Sequence, residues 1–283
     1  MRRILVATDF SSRSEQALRR AALLASASGA KLDLVHAIDP DRPRELVTAE
    51  AGLSRDLLDE QRSLLRDRHG INARSHLYEG EPFQGIGKAL EELQPDLLVL
   101  GAYRRRLLQD TFVGTTAERA IRRSPRPVLM VNAEARDPYT HVLAAVDLSE
   151  HSARALRTMA TLGLNRDAAV SVAYAFDAPG TGFLTLGTMS KAEIRSYLAE
   201  EQALAARELD AFLAKANFGR VQRIVRQIES TDVAAIGAIA TELAADLLVI
   251  GAGSGHARML LGSTALELLA TSSRDVLIVP RLG

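Results

Sequence analysis

The sequence predicts an α/β protein made of two tandem domains, each a doubly wound sheet of five parallel strands. Three observations support this prediction. The chain repeats itself in order, short runs of Val, Leu and Ile alternate with segments of helical periodicity, and capping or turn residues separate the two kinds of segment. Strands that alternate with helices form parallel sheets through right-handed crossovers.

The repeat has three matching blocks. RILVATDFSSRSEQAL, from Arg3, recurs as HVLAAVDLSEHSARAL from His141. PDLLVLGA and VGTTAERAIRRSPRPVLMV recur, in the same order, as ADLLVIGA and LGSTALELLATSSRDVLIV. Three blocks in one order indicate a duplication. The polar segment NAEARDPYT separates the copies, so we expect domains at residues 1–134 and 139–283.

The helices and strands of the first copy follow from the periodicity of apolar residues and from the capping and turn residues that bound each segment. Five short apolar runs predict strands: ILVAT, KLDLVHAI, NARSHLY, DLLVLG and PVLMV. The near-continuous ones are typical of central strands covered on both faces. Ser12 and Glu15 form a capping signature for a helix that stops at Gly29. Further helices are predicted over roughly Arg44–His69, over Phe83–Leu93, and after Gly114.

This strand order predicts where a ligand would bind. In doubly wound sheets, ligands bind beyond the carboxyl ends of the strands, where the strand order reverses. If the first and fourth strands are neighbours there, the aspartates that end the first strands meet the glycines that end the fourth. These residues are Asp9 with Gly101 in the first copy and Asp147 with Gly251 in the second.

Composition excludes several classes of function. Lys+Arg and Asp+Glu both number 35 among 283 residues, so the net charge is zero. This disfavours nucleic acid and anionic membranes as partners, since both reward a positive field. No cysteine is present, which removes disulfides and thiolate chemistry. No apolar run approaches the roughly 18 residues of a membrane span, so we expect a cytoplasmic protein.

The motifs resemble those of the universal stress protein family. TDFS and VDLS end the first strands, HAID ends the second, and a glycine loop closing on Gly-Thr or Gly-Ser follows the fourth. Two copies cover essentially the whole chain, as in tandem members. The resemblance implies a Rossmann-like fold, a role in the stress response, an unidentified client protein, and ATP binding, with Mg or Mn as an accompanying ion. It also implies that the final strands PVLMV and DVLIV pair, giving an intramolecular pseudo-dimer or a homodimer of such chains.

The family loop has the pattern G-x-x-G, nine residues, then G-[ST]. In the first copy, Gly101, Gly114 and Thr115 fit this pattern, but Arg104 replaces the second glycine. A side chain then stands where backbone should approach phosphate. The segment Arg104–Arg106 either grips a phosphate by its side chains or, as the favoured alternative, forms a solvated helix start or an interdomain contact.

The second copy keeps its glycines. Its loop, GAGSGHARMLLGST, has a spacing two residues shorter than the family pattern. Glycines let backbone N–H groups approach oxyanions, and a hydroxyl at a helix start completes an anion site. We therefore favour this copy as the nucleotide site. The residues that the resemblance assigns to it are Asp147, Ala175, Gly251, Gly253, Gly255, Gly262, Ser263 and Thr264.

Each assignment has an alternative. The resemblance places Asp9 and Asp147 beside ribose and adenine, but an aspartate between a strand and a helix also caps N–H groups without a ligand. Ala37 and Ala175 can offer only backbone to adenine. His36, at a strand end, is predicted to be a packed histidine, and the histidines show no metal-ligand spacing. Residues 177–190 lie in an expansion of the second copy and form either a loop or a lid.

Three functions follow from these residues. The first is an ATP-binding regulator with little or no catalysis, and the second is a ligand-free interaction module whose loops have drifted. The third is a slow ATP hydrolase. Hydrolysis needs a base or a water-orienting group beside the γ-phosphate. The loops offer none at a telling spacing, although Glu118 and Glu267 lie close by in sequence. The protein is therefore expected to be at most a weak ATPase.

Overall fold

A computed structural model describes residues 1–102, 116–178, 190–252 and 261–281. Its strands form one ten-stranded sheet in the order β3-β2-β1-β4-β5-β10-β9-β6-β7-β8. The strands are β1 (Arg3–Ala7), β2 (Lys31–Ile38), β3 (Arg74–Glu79), β4 (Leu97–Gly101), β5 (Val128–Val131), β6 (His141–Val146), β7 (Ala169–Phe176), β8 (Gln222–Gln227), β9 (Leu247–Gly251) and β10 (Asp275–Val279). Each half is parallel throughout, as predicted.

Helices cover both faces of the sheet. They are α1 (Ser12–Ser28), α2 (Arg44–His69), α3 (Pro82–Leu93), α4 (Thr116–Arg123), α5 (Glu150–Leu162), α6 (Lys191–Lys215), α7 (Asp232–Glu242) and α8 (Ser263–Thr271). One core cluster packs α1, α2, α5 and α6 against the sheet, and a second packs α3, α4, α7 and α8 against the other face. Central strands are apolar on both sides because both sides are covered. Among the described residues, no helix is long and apolar enough to cross a membrane.

The helix boundaries agree with the sequence except at the first cap. Ser11, not Ser12, is the N-cap of α1, and its side chain accepts a hydrogen bond from the Ser14 amide. The predicted Ser-x-x-Glu signature is therefore displaced by one residue. Gly29 and Gly70 end α1 and α2 with φ of 69° and 66°, the left-handed conformation that glycine adopts without strain.

The two halves join through their final strands. β5 and β10 pair antiparallel, with Leu129 opposite Leu277, and Val128–Val131 are buried. The apolar edges that the resemblance expected to pair therefore do so within one chain. This pairing removes two exposed sheet edges.

A buried carboxylate lies beside this seam. One oxygen of Asp275, which is fully buried, accepts hydrogen bonds from Arg20 Nε at 3.0 Å and from the Tyr139 hydroxyl at 2.7 Å. The other oxygen accepts the backbone N–H groups of Asn132 and Ala133 at 2.9 and 3.0 Å. A buried charge is tolerated only when it is paired and hydrogen-bonded. Asp275 thus ties the second half to α1 and to the chain that follows β5.

Candidate functional site

Two crevices open at the carboxyl edge of the sheet, one in each half. They lie where β1 and β4, and β6 and β9, are neighbours. The first has a cavity of about 270 Å³ and is lined by residues that include Asp9, Ala37 and Gly101. The second has a cavity of about 630 Å³, and Asp147 and Gly251 line it. The predicted meeting of aspartate and glycine thus occurs in both copies.

In the second crevice, Asp147 organises the turn between β6 and α5. Its Oδ1 atom accepts hydrogen bonds from the Ser149 amide at 3.1 Å and from the hydroxyls of Ser149 and Ser152, each at 2.5 Å. Ser149 is the N-cap of α5. The aspartate therefore holds the capping serine in place and is not itself the cap. Among the described residues, these hydrogen bonds use only one of its two carboxylate oxygens.

Asp9 repeats this arrangement in the first crevice. It accepts hydrogen bonds from the amide and hydroxyl of Ser11 at 3.1 and 2.5 Å. Its second oxygen lies 3.9 Å from the Arg13 guanidinium. The alternative that each aspartate has a local structural role without a ligand is thus partly correct in both copies. The aspartate is not the cap, but it holds the serine that is.

These hydrogen bonds set the charge state of both aspartates. Burial raises the pKa of Asp147, but the hydrogen bonds donated by Ser149 and Ser152 outweigh burial and leave the pKa below its usual range. Burial likewise raises the pKa of Asp9, and hydrogen bonds from Ser11 and Ser14, with the Arg13 charge, bring the net pKa below its usual range. Each carboxylate is therefore ionised at neutral pH.

The glycines that end β4 and β9 have a packing role. A Cβ on Gly101 would lie 2.7 Å from the backbone C and O of Arg13. A Cβ on Gly251 would lie 3.0 Å from the backbone O of His151. Glycine at these positions lets the starts of α1 and α5 approach the ends of β4 and β9. Close packing of helix against strand therefore explains glycine at both positions without a bound phosphate.

Ala37 and Ala175 lie at the carboxyl ends of β2 and β7, and each lines its crevice. Ile38 accepts a hydrogen bond from Gly80 on the β3 side, whereas Val35 accepts one from Thr8 on the β1 side. Backbone groups alternate in direction along a strand, so those of Ala37 face the β1 side, where β1 has already ended. In the second copy, Phe176 accepts a hydrogen bond from Ile228 on the β8 side. The same alternation turns the backbone of Ala175 toward β6. The register places its N–H beside the carbonyl of Val146, the last residue of β6, so its own carbonyl is the group that faces the space beyond that strand.

The second crevice also contains the start of α8. Gly262, Ser263 and Thr264 line the cavity, and Gly262, the N-cap, has no side chain to accept the first-turn N–H groups. Its own amide donates to the Ala252 carbonyl at 3.0 Å. Among the described residues, the amides of Ser263 and Thr264 have no acceptor. Such amides, aided by the helix dipole, favour an anion.

The charged residues around the two cavities differ. The described lining of the second crevice contains three carboxylates, those of Asp147, Asp177 and Asp232, and no Lys or Arg. The first crevice pairs Asp9 with Arg13. Sequence analysis missed Asp232, whose carboxylate accepts a hydrogen bond from the Thr264 hydroxyl at 3.3 Å. The sequence signal for Asp232 was its position, because it is the first residue of α7 as Pro82 is the first residue of α3.

One helix position contributes to the difference in cavity size. A Cβ on Gly85, the fourth residue of α3, would lie 2.6 Å from the Cβ of Ala37. The fourth residue of α7 is Ala235, which carries a real Cβ. Because two Cβ atoms cannot approach to 2.6 Å, α7 must lie farther from its strand than α3 does. This agrees with the larger volume of the second cavity.

Other predicted residues have structural contacts. His36 lines the first crevice, where its Nδ1 lies 2.8 Å from the Thr8 carbonyl and its ring lies tilted against that of Phe10, with the centroids 4.4 Å apart, so it is packed as predicted. Glu118 is buried and pairs with Arg122 at 2.6 Å, and Glu267 is exposed. Neither glutamate is among the described residues that line the cavities.

Part of the predicted site lies outside the described residues. This part comprises Arg104, Arg105, Arg106, Gly114, Thr115, Gly253, Gly255 and all but the ends of segment 177–190. Within the described ranges, no three His, Cys, Asp or Glu side chains form a group that could hold a metal ion.

Known proteins share this architecture. The model of the universal stress protein family matches residues 1–132 and again residues 138–280. A universal stress protein structure from Archaeoglobus fulgidus has a TM-score of 0.73 at 19% identity, covering 99% of this chain and 98% of that one. At that identity it shows the fold alone.

Two relatives match about half of the chain. Universal stress protein MJ0577 of Methanocaldococcus jannaschii is 24% identical over 152 residues, which are 46% of this chain and 94% of the relative. A universal stress protein solved in complex with cAMP is 26% identical over 46% of this chain and 95% of its own, with a TM-score of 0.37. Because the family model matches twice and spans nearly the whole sequence, the chain belongs to the universal stress protein family as a tandem member.

Proposed function

We propose that this chain is a cytoplasmic stress-response regulator that binds an adenine nucleotide, ATP, in the second crevice. One observation carries the proposal. A cavity of about 630 Å³ brings together Asp147, the backbone beyond Ala175, and the open start of α8 at Gly262. Small-molecule sites are typically concave, with a few convergent polar groups, and lie at this position in doubly wound sheets.

Each part of the cavity suits one part of the nucleotide. The carbonyl of Ala175 can accept a hydrogen bond from the amino group of adenine, because a backbone group can recognise a base edge without a side chain. Oδ2 of Asp147, for which the described residues supply no hydrogen-bond donor, can accept a hydrogen bond from a ribose hydroxyl. The first-turn amides of Ser263 and Thr264, with their hydroxyls, can donate to phosphate oxygens.

The carboxylates favour a metal complex of the nucleotide. Three aspartates line the second cavity, and like charges at short range oppose the binding of free ATP. Mg²⁺ bound to the phosphates reduces this repulsion, and Mg²⁺ normally uses one or two carboxylates together with phosphate oxygens and water. We therefore propose that ATP binds with Mg²⁺, and that Mn²⁺ can substitute.

The first test is an ATP titration of the full chain by calorimetry, in excess Mg²⁺ and again in EDTA. We expect saturable binding that is tighter with Mg²⁺, with little release of phosphate over hours. Absence of binding at millimolar ATP would instead favour the ligand-free interaction module. Steady phosphate release that depends on a cavity carboxylate would favour the hydrolase.

The seam limits how copies of the chain can associate. β5 and β10 already pair with each other, so a homodimer, or a complex with a client protein, must use another surface. The outer strands β3 and β8 are the remaining edges of the described sheet.

A further inference from the structure

The amino edge of the sheet in the first half carries a series of basic side chains. This edge lies opposite the first crevice, because the five strands of this half are parallel. The strands are neighbours in the order β3-β2-β1-β4-β5, so residues at their starts follow one another along the edge. The basic edge consists of Arg74 at the start of β3, Lys31 at the start of β2, Arg2 and Arg3 at the start of β1, and Arg126 two residues before β5.

Two carboxylates accompany these five cations. Asp33 is fully buried, and its oxygens lie 3.5 Å from Arg3 Nε and 2.9 Å from Arg74 Nε. Asp96 accepts hydrogen bonds from the backbone N–H groups of Arg2 and Arg3. Each carboxylate is therefore held by groups of the edge itself.

Three of the cations have no carboxylate partner. In the described part of the chain, Arg2, Lys31 and Arg126 form no salt bridge, and Arg126 donates to the neutral side-chain amide of Gln94. Arg2 and Lys31 are exposed, and the side chain of Arg74 is 52% exposed. With five cations and two carboxylates, the basic edge has a formal net charge of +3.

The neighbouring helix ends do not cancel this charge. The last turn of α3 contains Glu91 and Glu92, and the last turn of α4 contains Arg122 and Arg123, so these two helix ends offset each other. Glu92 also accepts a hydrogen bond from the Tyr78 hydroxyl at 2.6 Å. The last turn of α2 is basic as well.

The second half builds the same edge without this charge. Asp246 repeats the role of Asp96, since it accepts the amides of Thr140 and His141 at 2.7 and 3.2 Å. Among the residues that match the basic edge, a single one is permanently charged, so the fold does not require the cations. In the order of the list above along the chain, the matching residues are Thr140, His141, Ala169, Gln222 and Arg274.

Cations at successive strand starts suit an extended acidic peptide segment. Neighbouring strands lie about 4.8 Å apart, so the edge from β3 to β5 spans about 19 Å, the length of about six residues in extended conformation. Arginine pairs with carboxylates through two parallel hydrogen bonds. Single-stranded nucleic acid fits less well, because its binding surfaces combine cations with aromatic rings that stack on bases. The segments at this edge, residues 1–3, 29–31, 71–75, 93–97 and 124–128, contain no Phe, Tyr or Trp.

We propose that the basic edge docks an acidic, extended segment of a partner protein. Carboxylates of that segment pair with Arg2, Lys31 and Arg126, which lack a carboxylate within the described chain, and with the exposed part of Arg74. Exposed ion pairs are individually weak and are screened by salt, so binding requires several of them together. This surface is separate from the proposed nucleotide site and does not depend on it.

The test uses a fluorescein-labelled octaglutamate peptide as the probe. The full chain is titrated into the probe without nucleotide, and fluorescence anisotropy is recorded at about 50 and about 300 mM NaCl. An octaglutamine peptide with the same label is the control. We expect saturable binding of octaglutamate that weakens at the higher salt concentration, and no binding of octaglutamine.

Two double variants locate the surface. Arg2→Thr with Lys31→Ala copies the second-half residues at both positions and should weaken octaglutamate about two- to thirtyfold, the size of two exposed ion pairs. Lys215→Ala with Arg220→Thr removes the same charge from exposed positions near the amino edge of the second half, and should leave the affinity unchanged. Because all four positions are exposed, both variants should melt close to wild type.

Three results would overturn the proposal. The first is the absence of saturable octaglutamate binding to wild type, and the second is an equal loss of affinity in the two double variants. The third is tighter binding of a fluorescein-labelled oligothymidine strand than of octaglutamate, weakened by the first double variant alone. That result would assign the basic edge to nucleic acid.

Discussion

The two crevices have the same frame and different linings. In both, an aspartate after the first strand of the half holds the serine that caps the next helix, and the intervening residue, Phe10 or Leu148, has φ near 60°. In both, the glycine that ends the fourth strand of the half leaves room for the start of that helix. The cavities nevertheless measure about 270 and 630 Å³.

This comparison separates structural from ligand-related residues. Asp9 and Asp147 perform the same local task whichever crevice is larger, so their presence alone does not indicate a ligand. The differences lie around the cavity: Arg13 against His151, Pro82 against Asp232, and Gly85 against Ala235. The larger cavity of the second half supports placing the nucleotide there, whereas its three carboxylates are the reason that we propose a metal complex of the nucleotide.

The largest expected effect on stability concerns the seam, the pairing of β5 with β10 that joins the two halves, where the halves also differ. Strand register gives Asp275 the position in the second half that Pro127 has in the first half. Asp275→Ala removes the carboxylate that pairs with the buried Arg20 guanidinium, so we expect the free energy of unfolding to fall by about 3–5 kcal/mol. Pro127→Ala should cost less than about 1 kcal/mol. Urea unfolding of both variants checks this, and equal losses would mean that Asp275 does not hold the seam.

The next effect compares the two strand-ending glycines. Gly101→Ala forces a Cβ to 2.7 Å from backbone atoms of Arg13, whereas the contact at Gly251 is 3.0 Å. We expect Gly101→Ala to lower the free energy of unfolding by about 3 kcal/mol and Gly251→Ala by about 1 kcal/mol. Thermal melts without ligand measure both. The reverse order would contradict the packing described for α1 and α5.

A smaller effect separates ligand binding from local structure at the aspartates. If Asp147 accepts a ribose hydroxyl, Asp147→Ala should weaken ATP about tenfold to hundredfold, the loss of one charge-assisted hydrogen bond. Asp9→Ala is the matched control and should leave ATP affinity unchanged. An unchanged affinity in Asp147→Ala together with a lower melting temperature would leave only the structural role.

The smallest effect is the dependence of stability on pH. Because the pKa of Asp147 is lowered in the folded protein, its ionised form stabilises the fold above the unfolded-state pKa of about 3.9. That contribution is lost as the pH falls through the lower folded-state pKa. Asp147→Asn should therefore be less stable than wild type at pH 7 and approach it below about pH 4. Parallel curves at all pH values would refute the linkage.

The fold was largely predictable because its signals are local and repeated. Apolar runs such as that of Leu97–Gly101 and the stops at Gly29 and Gly70 act over a few residues. The N-cap of α1 was ambiguous because Ser11 and Ser12 have the same side chain. Only the backbone conformation shows that Ser11 is the N-cap.

The missing parts of the prediction depend on distant contacts. Asp275 meets Arg20 across 255 residues, and nothing near either residue in sequence indicates the pairing. The aspartates were found by pattern, but their hold on the capping serine needed coordinates.

We propose that the second half, and not the first, binds the nucleotide. The most direct measurement is calorimetric titration of Mg·ATP into wild type, Gly262→Val and Gly114→Val. Valine at the N-cap of α8 places a branched side chain where phosphate oxygens would approach the helix start. We expect Gly262→Val to abolish ATP binding and Gly114→Val to retain nearly wild-type affinity. Equal loss in both variants, or loss in Gly114→Val alone, would contradict it.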